Sequence, residues 1–577
     1  MKRIKIFASI AIAAAALTMT SCKDWLQLGP EDYYGSENYW TKGESAATGY
    51  IHGLHKNLRD HYNLHVDHFG DLRGGLWKTG VSIDGTALSY GDIINCNFDD
   101  EHTMTTNFGN IYGRIFNCNI LIKNLNDENF DCAADKKAYY LGIAHGLRAF
   151  YFFDLYRNYG GAPLRTGTEV ADGILDPTLL YMARATPAEV AKQIEEDIEA
   201  SLSYFGNTTQ FNPFNMDATN RKHYWSKAAS EALAADFYLW QAKVSTGNYS
   251  ATGANGADLA KAEQHLKSLE TNYGLSMQNN FKDVFSTSNK GNSEVIFAIY
   301  FDETEATNNR NIWTMQTNAE VVGAGYTNEG KKITADMLVS EFNSFTRLDL
   351  EYKVEFLRQF DAADTRYLAT FYPVYRETEV YTPDMVVDGK NLKLRGSLVR
   401  KNIGHISSSS GTRTFDGDII LYRLPWVYLS LAEVANMKGD AATVKKYVDL
   451  VRQRAYGADW DAGKYGFTAG DFKTNELGIL MEKTKEFVQE GQRWYDLRRM
   501  KTAANGGPET ALVFSIEAAI ENGVDRDIPE PTDAVPNPVV DPIAAQLDYN
   551  TEAHKVLLPL DKTLLGNDAA LEQTPGY

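Results

Sequence analysis

The chain has 577 residues, 44% apolar and 23% charged, a balance that buries a core and excludes disorder over most of the length. Length alone admits about four domains of roughly 150 residues, or one large elaborated domain. Lys plus Arg is 57 against 76 Asp plus Glu, a formal charge of −19; the basic footprint that a phosphate backbone needs is missing, which excludes a nucleic-acid partner.

The N-terminus opens on a short basic region, Met1-Lys2-Arg3-Ile4-Lys5. The apolar run from Ile6 to Leu17 is 12 residues long, too short for a helix across a bilayer core, which takes roughly 20. It fits the h-region of a secretory signal. Met19-Thr20-Ser21-Cys22 resembles a bacterial lipobox, with Met19 in place of the usual Leu. Residues 1–21 are therefore expected to be a signal peptide, with Cys22 acylated as the first residue of the mature chain, 22–577. Such a chain is anchored to a membrane, not threaded through it. Lys23-Asp24 resembles the signal that sends lipoproteins to the cell surface. The remaining cysteines, Cys96, Cys118 and Cys132, are too few and too irregular for a disulfide framework, and no C-x-x-C pair offers a zinc site.

His61, His65 and His68 follow at spacings of four and three, with His52 and His55 upstream. On a helix they would share a face and could hold a metal. No H-E-x-x-H accompanies them and Gly70 ends the segment, so no metal is expected. Leu141, Ala144, Leu147, Tyr151 and Leu155 mark one face of a helix, and Gly160-Gly161-Ala162-Pro163 stops it. Glu189 to Leu202 and Ala257 to Leu269 are helical by pattern. Trp225 to Trp240 carries a small-residue stripe, Ala228, Ala232 and Ala235, beside a larger one of Ala229, Leu233, Phe237 and Trp240.

Val295 to Tyr300 reads as a strand. Long stretches rich in Gly, Asn, Ser and Thr, residues 302–332 and 402–418, read as irregular loops. Within the first, Gly325 to Lys332 approaches a phosphate-binding loop, but Lys332 stands where the metal-binding Ser or Thr belongs, and no strand–helix context surrounds it. Pro425 opens a helix that Lys438-Gly439 closes, and Asp440 caps the next through Val444, Val448 and Val451. Their short connector makes an antiparallel hairpin. Glu476 to Leu497 reads as one helix, with Trp494 and Leu497 continuing the stripe Leu477-Leu480-Thr484-Phe487. Pro529 to Pro542 is a Pro-rich loop. The fold class is mostly α: a tetratricopeptide-like helical-repeat scaffold with long irregular loops and a minor β component.

Several blocks resemble one family. Glu486-Phe487 and Glu490, followed by Gly491-Gln492-Arg493-Trp494-Tyr495-Asp496-Leu497-Arg498-Arg499, look like the C-terminal motif of the SusD/RagB family of glycan-binding lipoproteins. Leu147-Arg148-Ala149-Phe150-Tyr151-Phe152 with Tyr159-Gly160-Gly161-Ala162-Pro163-Leu164 resembles its central helix and turn. Tyr422-Arg423 with Leu431-Ala432-Glu433-Val434-Ala435 and Gly439-Asp440 is a third block. Ser293 to Ala298 is a fourth, and Gln573-Thr574-Pro575-Gly576-Tyr577 a fifth. Ile143 departs from the family, which usually places a Glu there. Residue by residue the motifs read as architecture: Arg148 and Arg493 need carboxylates or helix C-terminal carbonyls as partners.

The resemblance implies four tetratricopeptide-like helix pairs with a shallow glycan site built from loops on one side. It implies no catalytic activity and no cofactor. The implied partner is a SusC-type TonB-dependent transporter, with the lipoprotein hinged above it at the outer membrane, facing the cell exterior, and handing it oligosaccharides or polysaccharides.

Sugars present apolar C–H faces and hydroxyl rims, so a receptor needs aromatic platforms and planar hydrogen-bonding groups. Two loops supply both. Asp71-Leu72-Arg73-Gly74-Gly75-Leu76-Trp77 offers Trp77 as a platform with Asp71 and Arg73 beside it. Asn308-Asn309-Arg310-Asn311-Ile312-Trp313 offers Trp313 and Arg310, after Tyr300 and Asp302. Trp40 and Tyr326 are further candidates, then Tyr375 and Arg376. The alternative function is a membrane-anchored helical glycoside hydrolase or lyase, which would need an acid of raised pKa facing a second carboxylate. A peptide-binding surface protein is a third class.

Overall fold

The computed structural model describes residues 39–78, 87–101, 107–169, 176–216, 222–308, 314–316, 325–342, 346–379, 383–518 and 547–577. The signal segment, Cys22, Arg310, Trp313 and the Pro-rich loop lie outside the described residues.

The long helices are α1 (Glu44–His65), α2 (Gly109–Leu125), α3 (Ala134–Tyr159), α4 (Pro187–Phe205), α5 (Lys227–Lys243), α6 (Ala257–Asn272), α7 (Leu424–Met437), α8 (Ala441–Tyr456) and α9 (Phe472–Glu486), followed by the shorter α10 (Arg493–Arg499). Each of α1 to α8 packs on the next in chain order, and α9 packs on α7. This is the tetratricopeptide-like stack.

Local chemistry starts and stops the helices. Thr186 and Glu189 close a capping box on α4, with Pro187 in its first turn. Ser226, Asp440 and Asp471 accept backbone N–H groups of α5, α8 and α9. Gly160, at φ 75°, ends α3. The stripe Ala228, Ala232 and Ala235 lies in α5, and every residue from Ala228 to Lys243 is buried; small side chains let neighbours close in on all sides. Ile143 is fully buried in α3.

Among the described residues, nine strands form small antiparallel units: β1 (Val295–Ile299), β2 (Thr314–Gln316), β3 (Thr346–Leu348), β4 (Phe371–Glu377), β5 (Met385–Val387), β6 (Lys390–Val399), β7 (His405–Ile406), β8 (Arg413–Thr414) and β9 (Ile419–Arg423). β1 pairs with β9, and β6 lies between β4 and β5. Because β9 runs directly into α7, the β1–β9 ribbon ties the loop region to the helical stack.

The single helix expected from Glu476 to Leu497 is two helices. Gln489 and Gly491 sit at φ 59° and 73°, a left-handed backbone that no α-helix tolerates. The freed carbonyls are captured: Arg423 donates to Glu486 at 2.8 Å and Lys401 to Val488 at 2.6 Å. Trp494 and Leu497 therefore belong to a different helix from Leu480. A Cβ on Gly70 would stand 2.1 Å from the Gly491 carbonyl, so the turn also needs glycine across from it.

The motif residues anchor a buried ionic core. Arg423 pairs with Glu294, Glu486 and Glu490. Glu433 receives Lys243 at 3.1 Å and Arg499 at 2.9 Å, with Lys483 beside them. Burial pushes the Glu433 carboxyl up, but Arg499, Lys483 and Lys243 override it and hold it well below the usual carboxylate range. Arg148 forks onto Asp197 at 2.9 and 2.7 Å. Arg493 finds a carbonyl, that of Gly74 at 3.3 Å, and the Thr484 hydroxyl at 2.6 Å. Both arginines thus have the partner types expected of them. Cys96, Cys118 and Cys132 are free. Among the described residues no helix is long and apolar enough to cross a membrane.

Candidate functional site

α1 presents His52, His55, Lys56 and Arg59 on one face, because spacings of three and four return to the same side of a helix. Opposite stand His223 and Tyr224, just before α5, and Tyr300 at the exit of β1. With Glu305 they enclose an open cavity of about 120 Å³.

The arrangement is fixed by polar contacts. His55 donates Nδ1–H to the Ile51 carbonyl at 2.8 Å and accepts the Trp225 N–H at Nε2, 2.9 Å. Both nitrogens are thereby used by the neutral ring, and burial pushes its pKa down to about 4. The Tyr224 hydroxyl meets His52 Nδ1 at 2.7 Å. Arg59 pairs with Glu305 at 2.8 Å and donates to the Tyr300 carbonyl at 3.4 Å.

Tyr300 donates its hydroxyl to Asp302 at 3.0 Å. The hydroxyl and N–H of Thr304 hold the Asp302 carboxyl down at about 2. The Tyr300 ring lies 4.9 Å from the His223 ring, and the Lys290 ammonium sits 4.9 Å from the centre of the Tyr300 ring. His223 Nε2 meets Asp418 at 2.6 Å, while its buried Nδ1 has no hydrogen-bond partner. Asp418 comes from the 402–418 stretch, expected as an irregular loop but carrying the short β7–β8 ribbon; it lies outside the cavity lining and fixes His223, which does line it. The opening combines an aromatic ring, an Arg–Glu pair and imidazoles, the inventory that hydroxyl-rich ligands use.

Of the sequence candidates, the structure brings Tyr300 to this cavity, with Asp302 bonded to it. Arg310 and Trp313, in the same loop, lie outside the described residues. The other nominated loop is corrected. Trp77 is 1% exposed and stacks on Tyr352 with ring centroids 3.8 Å apart. Asp71 accepts the Gly491 N–H at 3.1 Å. Arg73 is fully buried, donates to the Lys555 carbonyl at 3.0 Å and lies 3.9 Å from the centre of the Trp494 ring. A Cβ on Gly74 would meet the Arg493 side chain at 2.4 Å, so this glycine serves close packing and not ligand access. The segment is core that holds the C-terminal turn in place.

Trp40 packs on Tyr50 and Phe130. Tyr326 is 6% exposed, bonds Lys390 at 2.8 Å and bridges to Tyr375; Arg376 lies on β4 opposite Lys393. None of these four lines the cavity. Gly325 to Lys332 folds back on itself, with Tyr326 bridging Lys332. His61 meets Asp154 at 3.4 Å; the side chains of His65 and His68 lie outside the described residues.

Sequence reasoning missed Arg59, His223, Tyr224 and Glu305, and read His52 and His55 only as metal candidates. The spacing 52, 55, 56, 59 was the available signal for a polar helix face.

Comparison with known proteins places this geometry in a family. Residues 274–577 match the profile of the SusD family, and residues 82–239 match one described as "Starch-binding associating with outer membrane". A SusD-like protein P38 from Formosa agariphila is 26% identical over 516 residues, 87% of this chain and 92% of that protein. The crystal structure of a SusD superfamily protein from Bacteroides fragilis NCTC 9343 shares 44% identity at a TM-score of 0.80, covering 94% of this chain and all of that one. B. fragilis NanU shares 26% identity at a TM-score of 0.72, covering 95% of this chain and 100% of its own. The chain belongs to the SusD family.

Proposed function

We propose that this protein is a cell-surface lipoprotein, anchored through Cys22, that captures oligosaccharides or polysaccharides at the Tyr300 cavity and delivers them to a SusC-type TonB-dependent transporter of the outer membrane. Membership of the SusD family and the outer-membrane, starch-binding description of the second profile support a carbohydrate ligand and an outer-membrane location. The observation that carries the site is the meeting of Tyr300, Tyr224, Arg59, Glu305 and His52 at one opening. The ring offers a C–H stacking face and the Arg59–Glu305 pair offers fixed donors and acceptors for hydroxyls.

The hydrolase alternative needs an acid that keeps its proton near neutral pH. It also needs a second carboxylate across the ligand; among the described lining residues Glu305 is the single acid, and it is paired with Arg59 at 2.8 Å, which favours binding without turnover. Affinity electrophoresis of the wild type and Tyr300→Ala in gels containing plant, host and microbial polysaccharides tests the reading. Retardation of the wild type by one glycan, abolished in the variant, is the expected result. Equal retardation of both proteins would place the glycan elsewhere.

A further inference from the structure

Arg59 and Glu305 pair at one wall of the Tyr300 cavity, and Glu305 belongs to a tight turn, residues 302–306. Asp302 and Ala306 close that turn by exchanging backbone hydrogen bonds at 2.8 and 3.0 Å. The Asp302 carboxylate accepts the Thr304 N–H inside it at 2.8 Å. At its exit the Asn308 N–H reaches the Phe415 carbonyl. Glu303 and Glu305 are both exposed and serve different partners: Glu305 takes Arg59 of α1, while Glu303 reaches across to the β7–β8 ribbon.

The receiving group there is His405, on β7, which stands between carboxylates of two segments. Its Nδ1 is 2.9 Å from Asp416 and its Nε2 is 3.3 Å from Glu303. Ser407 donates its hydroxyl to Glu303 as well. A carboxylate only accepts. A neutral imidazole, with one N–H, therefore turns a lone pair towards one of the two acids, whereas the imidazolium, with two, pairs with both. The other charges around it are engaged. Lys290 lies 3.8 Å from Asp416 and 3.4 Å from Asp418, and Asp418 passes on to His223 of the cavity. Arg413, on β8, donates to the carbonyls of Ile403 and Gly404. Among the described residues no other cation pairs with Glu303.

We infer that His405 is a pH-responsive positioning residue for the Tyr300 site: its imidazolium ties the 302–306 turn, through Glu303, to the β7–β8 ribbon and so holds Glu305 against Arg59. Imidazoles titrate between about pH 5 and 8. The tie is complete at the acid end of that range and is lost as pH rises through it. As regulation of glycan capture this rests on the Tyr300 cavity being the capture site; the tie itself needs no glycan.

Hydrogen exchange of the full chain at pH 5.5 and 8.0, corrected for intrinsic exchange rates, tests the tie through the peptide spanning residues 302–308. Protection in the wild type should fall about threefold from pH 5.5 to 8.0, the scale of a partly exposed ion pair, while peptides of α5 stay unchanged. His405→Gln should show the low protection at both pH values. His405→Arg, charged throughout, should keep the high protection at both. Glu303→Gln should lose protection at pH 5.5. Equal protection of the wild type at the two pH values would overturn the inference, and so would a parallel fall in α5, which would make the change global. A pH dependence that persists in His405→Arg would assign it to the His223–Asp418 pair and would equally overturn it. Glycan binding retained in Tyr300→Ala would move the capture site and leave these exchange rates untouched, so the tie and the capture site fail separately.

Discussion

Trp77→Ala separates a core role from a binding role. The indole is 1% exposed and stacks on Tyr352, itself 1% exposed, at 3.8 Å. Removing a buried Trp costs about 3–5 kcal/mol, from lost transfer energy and the cavity left behind. Unfolding entropy of about 2.1 cal/mol/K per residue, over 577 residues, comes to about 1.2 kcal/mol/K. A cooperative transition should therefore lose about 3–4 °C in Tm. Differential scanning calorimetry reads this shift, and affinity electrophoresis on the same sample reads glycan binding. A lower Tm with unchanged affinity is expected. An unchanged Tm with lost affinity would refute the burial argument and restore Trp77 as a platform.

Arg423→Met should destabilise by about 3–5 kcal/mol, because it strands Glu294, Glu486 and Glu490 in the core; a Tm within 1 °C of wild type, on the order of 1 kcal/mol, would show the network to be dispensable. Burial pushes the imidazoles of His55 and His265 down from 6.5 to about 4. Between those values the unfolded chain binds protons that the folded chain does not, so stability should fall as pH drops from 6.5 to 4, by at most about 1.4 kcal/mol per pH unit for each ring. His55→Gln should flatten that slope, and an unaltered slope would remove His55 from the account. Cys22→Ala should move the protein from the membrane to the soluble fraction; retention in membranes of cells lacking the transporter would contradict the lipid anchor. Thiol reductant should leave Tm unchanged, since Cys96, Cys118 and Cys132 are free; a fall of several degrees would reveal a disulfide.

The sequence made local structure legible. The cap at Asp440 and the stop at Gly160 depend on neighbours a few residues away, and the strand at Val295 on a short local run of apolar residues. The break between α9 and α10 was hidden because long-range partners, Arg423 and Lys401, stabilise a left-handed Gln489 that local propensity gives no reason to expect. The burial of Trp77 was hidden for the same reason: Tyr352 and the turn at Gly491 lie far along the chain. A Gly-Gly pair reads equally as freedom for a ligand or as room for a packed helix, and only the Arg493 side chain against Gly74 decides. At the candidate site, Tyr300 and Asp302 were legible because a strand delivers them into a polar loop. Arg59 and Tyr224 were not, because nothing local announces which elements meet.

The central claim is capture of a glycan without turnover at the Tyr300 cavity. The most direct measurement is calorimetric titration of the protein with the oligosaccharide selected by the polysaccharide screen, with reducing ends assayed in the same cell. The account predicts saturable binding, a loss of about 2 kcal/mol, roughly thirtyfold, in Tyr300→Ala, and no new reducing ends. Binding undiminished in Tyr300→Ala, or reducing ends that grow with time, would contradict it.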